Sequence, residues 1–205
     1  MKIEDWIRHL ERLGQPEPAR LPPEKTLLHG DRGEQVLWRA CAGEAVDMSR
    51  IMSRIMSRIM NPIMGRTLAA EPGAEPDGPL LPTDAYLAIE VWAECELSAL
   101  HALHRLVRER HPALPASAQR RAGSAVRWHL EHTQPDNATN RPWALHVFLL
   151  ASEGAGIEGV DPGDARFYAE TLLHNMSATD ARNEPLSRWI LADAARELRL
   201  ALGAT

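Results

Sequence analysis

The residues best suited to acid–base chemistry are concentrated between positions 129 and 146. His129 lies on the apolar side of a helix predicted over 117–133, so its ring is expected to point into the core. A loop rich in hydrogen-bonding side chains follows, and His146 then lies in WALHVFLLA, a segment with no other polar residue. An imidazole oriented by an aspartate can act as a general base or a metal ligand. The sequence therefore predicts a candidate catalytic site formed by His129, Asp136, Asn140 and His146.

The same residues also suit a purely structural role, and no recognised ligand spacing separates the two interpretations. Buried histidines commonly bond to loop carbonyls, while Asp136, Asn137 and Asn140 could cap helices and tighten the turn. His129 and His132 are three residues apart, whereas the zinc-binding helix motif places its histidines four apart. We therefore predict no metal site, and the pattern identifies no cofactor. Whether the chain is an enzyme stays open.

A long helix, predicted from Thr83 or Asp84 to about Arg110, carries a second group of polar residues. Four of them share one narrow arc of this helix: Glu90, Glu94, His101 and His104. Because the arc lies opposite the apolar face and also contains arginines, we interpret it as a solvated charged face. Glu96 is different, since it points towards the apolar side, where a carboxylate needs a partner.

Between Met48 and Arg66 the sequence repeats the unit MSRI three times and then departs from it. Four residues is close to one helical turn, so isoleucine and methionine form one stripe and arginine forms another. The predicted helix is cationic, amphipathic and ended by Pro62. Its apolar stripe gives the predicted interface residues Ile51, Met52, Ile55, Met56, Ile59 and Met60.

Four interpretations of this repeat stay open. The helix could pack on its own protein or on another subunit, or it could lie on an anionic membrane surface. The methionine thioethers could instead bind a soft metal such as Cu(I). The repeat could also be a tandem duplication that the fold tolerates as an insertion, which is compatible with the other three.

All of the elements that would position these residues are predicted to be helices, because alternating strand patterns and hairpin turns are almost absent. We predict an all-α fold of about seven to eight helices without a sheet, arranged as an irregular helical bundle or stacked αα-hairpins. Apart from the helices described above, the predicted helices cover 2–13, about 33–46, about 142–152, about 163–176 and about 185–202.

The predicted domain organisation has three parts. N-terminal helices, including the repeat, cover 1–66, and a flexible Pro/Gly-rich connector covers 67–83. The main helical domain covers 84–205 and could share one continuous core with residues 1–46. Six tryptophans are spread through the predicted helices, which suits anchors of a core better than a ligand cage.

Composition narrows the function classes. A net charge of −5 over 205 residues argues against a general nucleic-acid-binding protein, which normally has a basic surplus. The charged N-terminus does not match a secretory signal, and no apolar run approaches the ~20 residues of a membrane-spanning helix. The two cysteines are expected to be small buried residues in a reducing compartment. We therefore predict a cytoplasmic protein.

The leading functional hypothesis is a helical interaction or scaffold protein. It would self-associate, or bind a protein partner, through the Met/Ile-rich helix 48–60. The alternative is an enzyme or metal-binding protein with its site in residues 129–146. A third hypothesis is peripheral binding of a membrane surface by the cationic helix. None of the three involves a nucleic acid.

Overall fold

The computed structural model describes residues 1–15, 32–48, 52, 78–81, 88–133, 135, 139–154, 157 and 159–203. Over these residues the chain is all-α and has no strand, which confirms the predicted fold class. The seven α-helices of the described residues are α1 (Ile3–Leu13), α2 (Arg32–Cys41), α3 (Ile89–Arg108), α4 (Ala118–His132), α5 (Leu145–Ser152), α6 (Pro162–Ala178) and α7 (Pro185–Gly203). A short 3-10 helix, Asp180–Asn183, connects α6 to α7.

One hydrophobic core contains side chains from all seven helices. Helix α1 packs against α7, α2 against α3, and α3 against both α4 and α5. Helix α5 also contacts α6 and α7. The two N-terminal helices therefore share a core with the helices that follow residue 88.

Helix α1 shows why the sequence folds in this way. Its apolar residues recur at helical spacing, and four of them are buried as predicted: Ile3, Trp6, Ile7 and Leu10. The prediction is wrong for Leu13, which is 37% exposed at the end of the helix.

The chain leaves α1 at Gly14, where its backbone passes against Ala192 of α7. A Cβ at position 14 would lie 2.8 Å from the backbone nitrogen of Ala192. The φ angle of Gly14, −75°, is available to any residue, so space requires glycine here and conformation does not.

We expect Gly14→Ala to lower the free energy of unfolding by about 1–3 kcal/mol, because the added methyl group pushes α1 away from α7. Urea denaturation followed by circular dichroism measures the change. Gly203→Ala is the matched control, since a Cβ there meets nothing within 4 Å. Equal unfolding midpoints for Gly14→Ala and the wild type would contradict the prediction.

The helix boundaries differ from prediction at α2, α3 and α5. Helix α2 ends at Cys41, about five residues before the predicted end. Helix α3 begins at Ile89, after the extended backbone of Ala88, while Thr83 and Asp84 lie outside the described residues. Helix α5 begins only at Leu145, because Ala144 adopts a left-handed backbone with φ 56°. The sequence predicted Pro142 in the first turn of α5, and this prediction is therefore wrong.

Prolines do begin the last two helices. Asp161 caps α6 by accepting hydrogen bonds from the backbone N–H groups of Gly163 and Asp164, and Pro162 follows as the first helical residue. Pro185 is the first residue of α7, which confirms the prediction at that position.

Three tryptophans meet at the centre of the core, one from α2, one from α7 and one from the turn before α5. The ring centroid of Trp38 lies 5.7 Å from those of Trp143 and Trp189, and its indole N–H donates to Ser98 Oγ at 2.9 Å. Trp6 and Trp92 are also buried, so the predicted role as core anchors is confirmed for these five, while Trp128 is partly buried and packs against the core.

Both cysteines are buried, as predicted, and they form no disulfide with each other. Burial raises the pKa of the Cys41 thiol to about 12, so it remains a neutral thiol at physiological pH. None of the described helices combines the length and apolar character that crossing a bilayer requires.

Candidate functional site

His129 lies in α4 with no exposed surface, as the sequence predicts. Its Nε2 atom is 3.6 Å from Glu96 Oε1, and its Nδ1 atom is 3.1 Å from Thr133 Oγ1. Thr133 Oγ1 in turn lies 2.8 Å from the hydroxyl group of Tyr168. A carboxylate, an imidazole and two hydroxyl groups therefore follow one another in space.

This order of groups is the one that activates a hydroxyl nucleophile. However, Glu96 and His129 have no exposed surface, and Tyr168 is also buried. Burial raises the pKa of the Tyr168 phenol above its ordinary value, so the phenol stays protonated. In this conformation a substrate cannot reach the imidazole. His129 Nε2 has no hydrogen-bond partner among the described residues, and the Thr133 hydroxyl donates to the carbonyl oxygen of His129 at 2.9 Å. The hydrogen bonds therefore join His129, Thr133 and Tyr168, while Glu96 bonds elsewhere.

Glu96 has the partner that the sequence required, and the partner is backbone. Its two carboxylate oxygens accept the N–H groups of Leu80 and Leu81, each at 2.6 Å. Arg121 of α4 donates to the carbonyl oxygens of Gly78 and Pro79 at 2.9 and 2.6 Å. We call residues 78–81 the strap, since a buried carboxylate and a buried guanidinium hold its backbone from both sides.

The strap belongs to the core. Leu80 and Leu81 are almost completely buried, and they join the same hydrophobic cluster as the helices. The end of the predicted Pro/Gly-rich connector is therefore fixed against α3 and α4. The described residues include none between 53 and 77.

His146 of α5 is also fully buried, but its neighbours differ from those of His129. Its ring centroid lies 4.3 Å from that of His101 and 5.1 Å from that of His104. Within the described part of the chain, neither ring nitrogen of His146 has a hydrogen-bond partner, and Nδ1 of His104 has none either. We call His101, His104 and His146 the histidine cluster.

The interpretation of the α3 arc as a solvated face is wrong for its histidines. His101 has no exposed surface, and Nδ1 of His104 is buried although part of that residue reaches the surface. The reason is that α3 packs against α2, α4 and α5 and is buried on nearly all sides. The run of small and apolar residues around His101, Ser-Ala-Leu-His-Ala-Leu, is the signal that could have indicated this.

The tautomer of His101 follows from its two partners. The backbone N–H of Ala144 donates to His101 Nδ1 at 3.2 Å, so Nδ1 is an acceptor. The proton of the neutral ring then lies on Nε2, which donates to Asp193 Oδ2 at 3.1 Å. The left-handed backbone of Ala144 is the conformation that accompanies this bond.

Two buried carboxylates of α7 complete the surroundings of the cluster. Asp193 accepts from His101, Arg105 and Arg196, and Glu197 forms a two-point ion pair with Arg108. Burial alone would raise the pKa of Asp193. The hydrogen bond from His101 and the neighbouring positive charges outweigh burial and lower it, so Asp193 is ionised.

The environment keeps the other two histidines neutral. Burial lowers the pKa of His104 to about 4; Glu197 opposes this effect, and His101 and Arg108 add to it. Burial also lowers the pKa of His146 well below its ordinary value, and the histidines and arginines of α3 beside it add to this effect. A neutral imidazole carries one donor and one acceptor, and in His146 both are unpaired.

The structure separates His129 from His146. Phe148 packs against His129, with ring centroids 6.3 Å apart, and it lies two residues after His146 in α5. Residues two apart point to nearly opposite sides of a helix. The two histidines therefore lie on different sides of α5 and do not form one site.

Asn140 lies in neither buried group. It lines an open cleft of about 510 Å³, together with Glu90, Glu94, Arg141, Asp180 and Glu184. Arg141 bridges the cleft by pairing with Glu94 and, at 2.9 Å, with Glu184. With four carboxylates and one guanidinium, the cleft favours positively charged groups. Asp136, the fourth predicted site residue, lies outside the described residues.

Among the residues that the structure describes, no three His, Cys, Asp or Glu side chains are placed to share a metal ion. Within the repeat, Met48 and Met52 are described, and both are buried in the chain's own core. The other predicted interface residues lie outside the described part: Ile51, Ile55, Met56, Ile59 and Met60.

Comparison with protein-family models, with curated proteins and with solved structures finds no match to this chain.

Proposed function

We propose that the chain is an interaction protein that self-associates through the repeat segment 48–60. The observation that supports this proposal best is the burial of Met48 and Met52. They are four residues apart and both contact the core, which fits a helical register with the methionine row turned inward.

The same register assigns different roles to the other rows. On a helix the isoleucine row, Ile51, Ile55 and Ile59, lies about 100° from the methionine row, and the arginine row lies on the far side. The methionines then fix the segment to its own chain, while the isoleucines form an apolar edge for a second copy. Arginines beside an apolar strip are typical of protein–protein interfaces.

The enzymatic and metal-binding alternative has less support. His129 and His146 are both without exposed surface, they lie on different sides of α5, and Asn140 belongs to a separate cleft. A membrane-surface role would use the same cationic segment, and flotation with anionic and neutral vesicles separates it from self-association.

The test is the mass of the full chain in solution. Multi-angle light scattering is expected to show an oligomer of the wild type and a monomer of 22.8 kDa after Ile51, Ile55 and Ile59 are replaced by Ser. Replacement of Ser49, Ser53 and Ser57 by Ala is the matched control and should leave the mass unchanged. Circular dichroism confirms that each variant is folded, and Ile55→Ser alone replaces the triple variant if that one unfolds. A monomeric wild type across the concentration range would refute the proposal.

A further inference from the structure

In the histidine cluster, no described group is placed to form a hydrogen bond with a proton added to His146. His101 already uses both ring nitrogens, one on the Ala144 N–H and one on Asp193. His146 has two ring nitrogens that are unpaired among the described residues. Asp193 and Glu197 are both engaged with arginines of α3 and α7.

The groups of α3 around His146 oppose its protonation. They are Arg105 and Arg108, which are positively charged, and His101 and His104, whose own protonation would compete with that of His146. On α7, the carboxylates of Asp193 and Glu197 lie beside His101 and His104, and Arg196 pairs with both. No charged group of α6 appears among the described neighbours that influence His146. A proton on His146 would therefore place an unpaired positive charge beside two arginines in a buried space.

We propose that the histidine cluster is a proton-operated switch. Uptake of a proton by His146 releases α5 and the preceding residues 139–144 from α3 and α7. The release also dismantles the acidic cleft, because Arg141, Trp143 and Ala144 lie on the same short segment. Trp143 contacts His101 with ring centroids 5.6 Å apart, and its indole N–H faces Glu94 of the cleft.

A metal ion is a poorer explanation for the unpaired nitrogens. Two arginines lie next to the cluster, and among the described side chains no third ligand is placed to join His104 and His146. A hydrogen ion needs only one nitrogen and forms no further bond within the chain. An unpaired buried imidazole lowers the stability of the folded protein at neutral pH, and a role in the switch would explain why it is present.

The direction of the pH effect follows from the folded and open states. The folded cluster lowers the pKa of His146 and so suppresses its protonation. When the ring reaches water, its pKa returns to about 6.5. The open state therefore binds more protons, and opening becomes more favourable as the pH falls below about 6.5. For one histidine the opening equilibrium grows about tenfold for each pH unit.

Hydrogen exchange measured by mass spectrometry tests the switch, with each protection factor corrected for the intrinsic pH dependence of exchange. Between pH 6.5 and 4.5 we expect protection in α5 to fall about 50-fold, while protection in α1 changes little. His146→Leu should keep α5 protected over this range, because the leucine cannot take up a proton. His174→Leu, on the exposed side of α6, should behave as the wild type.

Three results would overturn the switch. The first is protection of α5 that does not depend on pH. The second is an equal loss of α5 protection in the wild type and in His146→Leu. The third is a simultaneous loss of protection in α1 and α5, which would mean global unfolding. If His146→Leu does not fold, histidine resonances of the wild type decide the question. Titration of His146 should coincide with the loss of α5 protection, and titration near pH 6.5 with α5 still protected would refute the proposal.

Discussion

Glu96→Gln is expected to destabilise the protein by about 3–5 kcal/mol, among the largest effects of the single polar substitutions that we anticipate. One carboxylate oxygen becomes an NH2 group that faces a backbone N–H of the strap, so a charge-assisted bond is lost and two donors oppose each other. Both groups are buried, and water cannot replace the missing acceptor.

Urea denaturation at pH 7 measures this loss, and hydrogen exchange at Leu80 and Leu81 locates it. Glu90→Gln is the control on the same helix, because Glu90 is exposed and should change the free energy of unfolding by less than about 0.5 kcal/mol. Arg121→Met provides a second check. Since Arg121 and Glu96 hold the same four residues, their combined substitution should cost less than the sum of the two. A loss below 1 kcal/mol for Glu96→Gln would show that the strap contributes little to stability.

Asp193→Asn is expected to cost about 3–5 kcal/mol at pH 7. The substitution removes a buried negative charge that His101, Arg105 and Arg196 share, and it leaves the nearly buried Arg105 with less compensation. Asp164→Asn, at an exposed position in the first turn of α6, should change stability by less than about 1 kcal/mol.

The pH dependence gives this prediction a sign. Because the folded protein lowers the pKa of Asp193 below 3.8, its carboxylate stabilises the fold at all pH values above 3.8. That contribution is lost as the pH falls through the lowered value. The difference between wild type and Asp193→Asn should therefore stay constant from pH 8 to about 5 and shrink below 3.8. Denaturation curves at several pH values measure it, and a difference that grows on acidification would contradict the assigned ionisation.

Helical periodicity made the fold class predictable, but it did not indicate which neighbours surround each helix. A helical wheel identified the inward face of α1 correctly because that helix packs chiefly against one neighbour, α7. The same method failed for His101 and His104, since it assumes that a helix has one solvent side. Helix α3 has neighbours around most of its circumference, so the more polar face that carries His101 is also buried.

The candidate site was only partly predictable for a related reason. The sequence indicated that His129 and His146 point inward and that Glu96 needs a partner, and the structure agrees on all three. It could not indicate that α5 separates the two histidines, because proximity along the chain says little about which side of a helix a residue faces. Nor could it identify the partner of Glu96, since backbone N–H groups are present at every residue other than proline.

The strap also determines how freely the preceding segment can change in length. Met52 is fixed in the core and Gly78 is held by Arg121, so residues 53–77 connect two fixed points. For a flexible connection between points this far apart in sequence, one added four-residue unit would change the free energy of closure by only about 0.1 kcal/mol. On that basis, copies of MSRI can be gained or lost at almost no thermodynamic cost to the helical scaffold. The number of isoleucines and arginines in the repeat can therefore evolve independently of the fold that carries them.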